Sequence, residues 1–256
     1  MSPVLAIAYR DVIKFLRDRP RLVSTFIFPV LIIGILGASA EANLGQSLAY
    51  DLEVFTFVGV LGQVLFQSSA LGIISLLEDR ESDFTQEIFV APVSRYAIIL
   101  GKILGESAVS LVQAVGILAF GLVVGVPLSP ATVVAMFPVL VIACLVGGAF
   151  GILVLSVFQS RRAADQVFPF VILPQFFLGG VFVPVRELPF YLDALSQLTP
   201  LRYVIDLLRG VYYRGEAEYA EVVLQRPTVN LVAVVAMFTV FLVVGTKRFV
   251  RSERNR

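Results

Sequence analysis

The sequence predicts an all-helical, polytopic membrane protein with six transmembrane helices, and three observations carry that reading: composition, the lengths of the uncharged runs, and the placement of Lys and Arg. Of 256 residues, 58% are hydrophobic and 15% charged, with a mean hydropathy of +0.89. Soluble globular chains do not reach that balance. A helix needs about 20 apolar residues to cross a hydrocarbon core, and spans are read at about 22–40, 54–77, 97–125, 132–158, 164–184 and 228–246. The uncharged run 107–160 is too long for one crossing, and Val126-Pro127-Leu128-Ser129-Pro130 divides it with a two-proline turn. The chain 1–256 reads as a single transmembrane domain, because even its longest polar segment, 184–226, is studded with aromatic and aliphatic residues.

Fifteen of the 20 Lys and Arg lie on one side of these spans, before the first, between the second and third, between the fourth and fifth, and after the sixth. The other five all fall in 184–226. The positive-inside rule then places both termini in the cytoplasm and the protein in the cytoplasmic (inner) membrane as a multi-pass chain.

The first element precedes the first span. Ser2 is a cap and Pro3 a first residue for a surface helix over 3–19, on which Leu5, Tyr9, Val12 and Leu16 share one face and Arg10, Lys14 and Arg17 another. The basic start, the apolar run and Ala38-Ser39-Ala40 also resemble a leader with a cleavage site. A leader needs no amphipathic face, so the surface helix is the preferred reading.

Composition excludes several kinds of function. With 20 basic against 19 acidic residues there is no general attraction to nucleic acid, and with no histidine there are no His-based zinc sites, Ser-His-Asp triads or imidazole relays. The lone cysteine, Cys144, reads as a small buried apolar residue. No aspartyl pair stands within the spans, so an intramembrane enzyme is poorly supported.

The cytoplasmic loop after the second span packs Glu78, Asp79, Glu81, Asp83 and Glu87 beside Phe84, Ile88 and Phe89. The three apolar residues share a face of a short helix over 84–94 that Pro92 ends. Anionic lipid would repel its acids, so a cytoplasmic protein is the better partner for that face.

The run from Glu78 through Ala91-Pro92-Val93-Ser94-Arg95 to Leu100-Gly101-Lys102 resembles the type-2 family of ATP-binding-cassette (ABC) exporter membrane subunits, which export drugs, lipids or polysaccharides. A second stretch agrees, from Gly179-Gly180-Val181-Phe182-Val183-Pro184 through Leu198-Thr199-Pro200-Leu201-Arg202-Tyr203 to Asp206 and Arg209. Ala91, where many members have threonine, and Ser82-Asp83, where glycine is common, depart from the pattern.

The resemblance implies a permease that takes its power from a separate cytoplasmic ABC ATPase subunit, which binds the ATP and Mg, and that pairs with a second membrane subunit, a copy or a related chain. In keeping with this, no G-x-x-x-x-G-K-[ST] loop occurs in the sequence. The chain itself is then expected to be no enzyme and to hold no cofactor. The 84–94 segment becomes the coupling helix, with Phe84, Ile88 and Phe89 as its apolar plug, Glu87 and Arg95 as charged contacts and Pro92 as its end. Anchoring of the same aromatics in the lipid interface stays open as the alternative.

Within the spans, polar side chains mark candidate path positions, because each costs free energy in lipid unless it faces protein or water. These are Gln63 and Gln67, stacked beside Ser68 and Ser69; Lys102 and Glu106, spaced to pair on one helix face; Gln113 farther along that face; and Gln175. The Lys102–Glu106 pair reads equally as a structural link. Gly101-x-x-x-Gly105, Gly121-x-x-x-Gly125 and the Ala143, Gly147, Gly151 series are packing faces on spans three and four.

The external region 185–214 is broken by prolines into two pieces too short to cross, which suits re-entrant or interfacial helices at an outer gate. Gate candidates are Gly179, Gly180, Pro184, Arg202, Asp206 and Arg209. The last three also suit a solvated ion-pair ladder, and Tyr191, Tyr203, Tyr212 and Tyr213 an interfacial belt. A rival function, an ATP-independent channel or secondary transporter with Glu106 as its ion or proton site, predicts transport driven by ion gradients alone.

Overall fold

The computed structural model describes residues 2–37, 39, 42–43, 48–76, 94–158 and 161–254. Every regular element among them is helical: α1 (Pro3–Arg17), α2 (Arg19–Leu31) with a π-helical continuation (Ile32–Gly37), α3 (Leu52–Ile74), α4 (Arg95–Val124), α5 (Pro130–Leu155), α6 (Arg161–Leu178), α7 (Phe190–Gln197), α8 (Pro200–Tyr212), α9 (Tyr219–Val222) and α10 (Pro227–Arg254).

Local chemistry sets the helix starts. Ser2, Asp18, Asp51, Ser94 and Ser129 each accept from a backbone N–H three residues on, at 3.4, 3.1, 2.9, 3.2 and 3.0 Å. Pro3, Pro20 and Pro130 stand in first turns, where no intrahelical N–H is needed. Gly125, at φ +96°, ends α4 in the left-handed region, and the expected two-proline turn follows it.

Among the described residues, four helices are long and apolar enough to cross a membrane: α3, α4, α5 and α10. The stretches expected to form the first and fifth spans are helical but fall short of that measure. Helix α2 leaves α-helical winding at Ile32. Helix α6 opens on Arg161 and Arg162, carries Pro169 and Pro174, and stops at Leu178 rather than near 184, because Gly180 turns the chain at φ +71°. At the other end, α10 runs past the apolar limit at 246 to Arg254.

Helix α3 is the centre of the molecule. Of its most apolar window 83% is buried, against 17% for the last span, and α5, α4, α8 and the π-helical turn all pack on it. Since lipid tails are as apolar as leucine, close packing rather than hydrophobic transfer holds such helices together. Small residues supply it. A Cβ at Gly147 would collide with the Phe66 carbonyl, and one at Gly151 would lie 2.6 Å from the Ala70 carbonyl, so the backbones of α5 and α3 touch there. Phe66, Phe150 and Phe241 continue the contact from α3 through α5 to α10, with ring centroids 5.4 and 5.6 Å apart.

The Gly101-x-x-x-Gly105 packing face, whose partner the spacing leaves open, is occupied by the first helix. It seats α1: a Cβ on Gly101 would lie 3.0 Å from Ile7 Cβ, and one on Gly105 3.0 Å from Ala8 Cα. Leu5, Tyr9 and Leu16 point outward instead.

Replacing Gly147 by alanine should therefore destabilise the protein by about 1–3 kcal/mol through overpacking. Gly37→Ala, whose Cβ would meet nothing closer than 3.8 Å, should be nearly neutral. Thermal unfolding of both variants in detergent checks the contrast.

Candidate functional site

The gate candidates converge on one end of the bundle, but each reaches a different element. Arg209, 1% exposed, donates from Nη2 to the Val181 carbonyl at 3.0 Å and the Phe55 carbonyl at 3.3 Å, and its guanidinium lies 3.4 Å from the Phe55 ring centroid. A Cβ at residue 59 would collide with the Val181 carbonyl and lie 2.9 Å from Arg209 Nη2, so Gly59 makes room for both. Burial lowers the Arg209 pKa to about 9, which leaves it charged at neutral pH.

Asp206 accepts from the Leu224 and Gln225 backbone N–H groups at 2.7 and 2.8 Å and from Asn230 Nδ2 at 2.7 Å. It staples α8 to the start of α10. Arg202 donates to Ser196 Oγ at 2.8 Å and pairs with Asp193 of α7 at 3.2 Å, while Ser196 donates to the Leu178 carbonyl beside Gly179 at 2.6 Å. The solvated ladder expected of Arg202, Asp206 and Arg209 does not form. All three are buried, because α8 packs on α3, α5 and α10 instead of lying open to water. Pro184 follows Gly180 in the turn that delivers Val181 to Arg209.

The tyrosines divide likewise. Tyr191 is exposed, but Tyr213 is buried in the core rather than lying in a belt. Tyr212 donates to the Pro127 carbonyl at 3.0 Å, and burial pushes its phenol up to about 12, so the hydroxyl keeps its proton.

At the opposite end, Lys102 and Glu106 pair at 2.9 Å as their spacing predicts, inside a larger chain of ions. Lys102 also meets Asp11 of α1 at 3.1 Å, Asp11 meets Arg10 at 2.9 Å, and Arg21 of α2 approaches Glu106 at 3.8 Å. Asp11, Lys102 and Glu106 are each at most 4% exposed. The chain of alternating charge ties α1 and α2 to α4, and Gly72 of α3 leaves room for the Glu106 carboxylate. Sequence reading missed Asp11 and Arg21. The one signal for Asp11 was an acid on a basic helix.

Two of the remaining polar candidates, Gln67 and Gln113, border a cleft between α2, α3 and α6. Gln63 donates to Gln67 within α3, and Gln67, Gln113, Lys14, Arg21 and Asp165 line a polar lobe of about 570 Å³. An apolar lobe of about 860 Å³ adjoins it and shares Phe28, Gln67, Leu71 and Asp165 with it. Gln63 Oε1 and Gln113 Oε1 are buried without a hydrogen-bond partner among the described residues. Gln175, on α6, donates to the Val171 carbonyl at 3.1 Å and is not brought to either lobe.

Of the coupling segment, Phe84, Glu87, Ile88, Phe89 and Pro92 lie outside the described residues, as does the side chain of Arg95, the first residue of α4.

Two substitutions should separate these networks by their cost. Lys102→Met removes the buried cation shared by Asp11 and Glu106 and should cost about 3–5 kcal/mol. Arg209→Ala removes the donor for the Val181 carbonyl and should cost about 2–4 kcal/mol. Chemical unfolding in detergent, with Lys102→Arg retaining most of the native stability, checks both.

Comparison with known proteins gives a consistent picture. The putative transport permease ycf38 of Cyanophora paradoxa is 27% identical over 202 residues, covering 77% of this chain and 70% of that protein. The ycf38 protein of Pyropia yezoensis is 26% identical over 230 residues, covering 88% and 79%. The probable multidrug ABC transporter permease YbhR of Escherichia coli K12 is 26% identical over 143 residues, covering 55% of this chain and 38% of its own length, so the matched stretch spans well under half of that relative. The family model described as ABC-2 type transporter matches residues 3–213, which takes in the α1–α4 ion chain, the cleft and the Arg209 anchor, and the chain belongs to that family.

Proposed function

We propose that this chain is the permease subunit of an ATP-driven exporter, carrying an amphipathic drug, a lipid or a polysaccharide out across the cytoplasmic membrane. In this reading α2 with its π-helical turn and α6 complete six crossings, α1 lies along the cytoplasmic surface, and both termini are cytoplasmic. A separate ABC ATPase binds ATP and Mg and presses on the 84–94 segment through Phe84, Glu87, Ile88, Phe89 and Arg95. A second membrane subunit closes the other side of the path.

The observation that carries the transport reading is the pair of joined lobes between α2, α3 and α6. They form a polar-to-apolar cleft, charged at the α1 end and lined by aromatic rings beyond. Such a cleft suits a ligand with a polar head and an apolar body better than a uniformly hydrophilic polymer. Powering by a partner rests on family membership. An ion-driven transporter using Glu106 is less favoured, because Lys102 and Arg21 already occupy that carboxylate.

Alternating access would follow from closure of the paired ATPases, which moves the coupling segments and with them α4, the helix they lead into. Co-purification from the native host tests the reading. A nucleotide-binding subunit with ATPase activity should accompany the native chain and be lost with Phe84→Ala, Phe89→Ala or Glu87→Lys variants that still insert. A chain that purifies alone and moves solute under an ion gradient would overturn it.

A further inference from the structure

We propose that the groove between α4 and α10 binds a phospholipid with an anionic head, its acyl chain lying against the two helices and its phosphate beside Lys247 and Arg251. The groove measures about 280 Å³ and its wall is mostly apolar. Helix α4 contributes Tyr96 and Leu100, four residues apart on one face, and α10 contributes Leu242 and Val243 with Thr246 and Lys247 one turn on. Tyr96, Leu100 and Val243 are exposed, so the groove is open along its side rather than closed into the core.

The groove exists because α10 packs on α5 and α8 and only grazes α4. In a bilayer, a space between two helices takes up lipid chains, since leaving it unfilled forfeits dispersion contacts on both walls. Its volume falls just under the range of about 300–1,000 Å³ usual for pockets that enclose a drug-sized ligand, which suits a narrow chain better than a bulky ring system.

Charge at the rim decides which lipid. Helix α10 has no acid before Glu253, and its apolar run ends at Lys247, with Arg248 and Arg251 following. Lys247 and Arg251 share a face one turn apart. Both are exposed and make no ion pair among the described residues. Basic residues at the end of a membrane-spanning helix attract anionic lipid, each by roughly fivefold, whereas a zwitterionic head brings no net charge to meet them. Tyr96, across the groove, has the amphipathic ring that favours such a boundary. Thr246 adds a hydroxyl with no hydrogen-bond partner among the described residues. It stands one residue inside the first charge, at the depth of a phospholipid's ester oxygens, which are acceptors.

Other occupants fit less well. A second copy of the chain related by a two-fold axis would bring Lys247 and Arg251 against their own kind. A soluble anion would gain the cations and none of the apolar wall.

The chain contains no tryptophan, so one introduced beside the groove reports on it alone. Leu104 is exposed one turn beyond Leu100 on the same face of α4, and Val232 is exposed near the other end of α10. The full chain carrying Leu104→Trp or Val232→Trp is placed in vesicles of phosphatidylcholine with phosphatidylglycerol, and quenching is compared when one lipid or the other is brominated. At Leu104→Trp, phosphatidylglycerol should be preferred by roughly fivefold or more, and at Val232→Trp the two lipids should quench alike. Adding Lys247→Gln and Arg251→Gln to Leu104→Trp should bring the preference close to one. Arg17→Gln with Arg19→Gln, which removes the same charge from exposed positions on α1 and α2, should leave it intact. Millimolar inorganic phosphate at matched ionic strength should not displace the lipid.

Equal quenching by the two lipids at Leu104→Trp, or a preference that survives loss of Lys247 and Arg251, would overturn the proposal. So would an equal loss in the Arg17 and Arg19 variant, which would mean diffuse surface charge, or displacement by phosphate, which would mean a site for a soluble anion. All the substituted side chains are exposed, so folding does not confound the comparison. The vesicles contain neither nucleotide nor ATPase, and either outcome leaves the exporter reading where it stands.

Discussion

The structure depends on how closely other backbones approach α3. In a bilayer no gain comes from moving apolar side chains out of water, so contact area and backbone proximity decide which helices associate. Three glycines set that proximity. Gly147 and Gly151 bring α5 onto the Phe66 and Ala70 carbonyls, and Gly59 of α3 admits the Val181 carbonyl with Arg209 beside it. Once α3 is enclosed in this way, several polar positions follow from it: Gly72 receives the Glu106 carboxylate, Phe55 supplies both a carbonyl and a ring to Arg209, and Gln67 stands on the cleft wall.

Among the described residues, buried charge is confined to the two ends of the bundle and is held differently at each. At the α8 end, cations and anions are held mainly by neutral groups, Arg209 by carbonyls and Asp206 by backbone N–H groups and an amide. Charge-assisted bonds of this kind fix loops that regular helices cannot. At the other end, charges are held by one another, from Arg10 through Asp11, Lys102 and Glu106 to Arg21. An alternating chain of ions keeps every member next to an opposite charge without any need for backbone groups, which α1 and α4, being regular helices, do not have to spare.

Much of this was legible in the sequence wherever the information is local. The Ser2 cap, the two-proline turn 126–130, the four long apolar helices and the Lys102–Glu106 pair all follow from spacing within one element. What escaped depends on contacts between elements. Asp11 and Arg21 reach α4 across a tertiary interface that no periodicity describes. The i, i+4, i+7 spacing of Arg202, Asp206 and Arg209 states only that they share a face of α8, and burial of that face turned an expected ladder into three separate anchors. Gly101 and Gly105 announce a flat surface without saying which helix will use it. Asp165 escaped for another reason. It falls at the very start of the expected fifth span, 164–184, and was not singled out there, whereas the fold carries it on α6 to the wall of the cleft.

Two of the three helices that wall the cleft, α2 and α6, are also the ones least committed to regular packing. Helices α3, α5 and α10 are held by backbone contact and a run of aromatic rings. On the opposite wall, α2 contains Pro29 and passes into a π-helical turn, and α6 contains Pro169 and Pro174, so both have given up hydrogen bonds that would otherwise resist bending. A change in cleft width therefore falls on α2 and α6 while α3 stays fixed. The link between that wall and the ion chain is Arg21, which lines the polar lobe and meets Glu106 at 3.8 Å, the longest contact in the chain. Movement of α2 strains this weakest pair first. It leaves Lys102 between Asp11 and Glu106, so α1 and α4 remain joined whichever way the cleft moves.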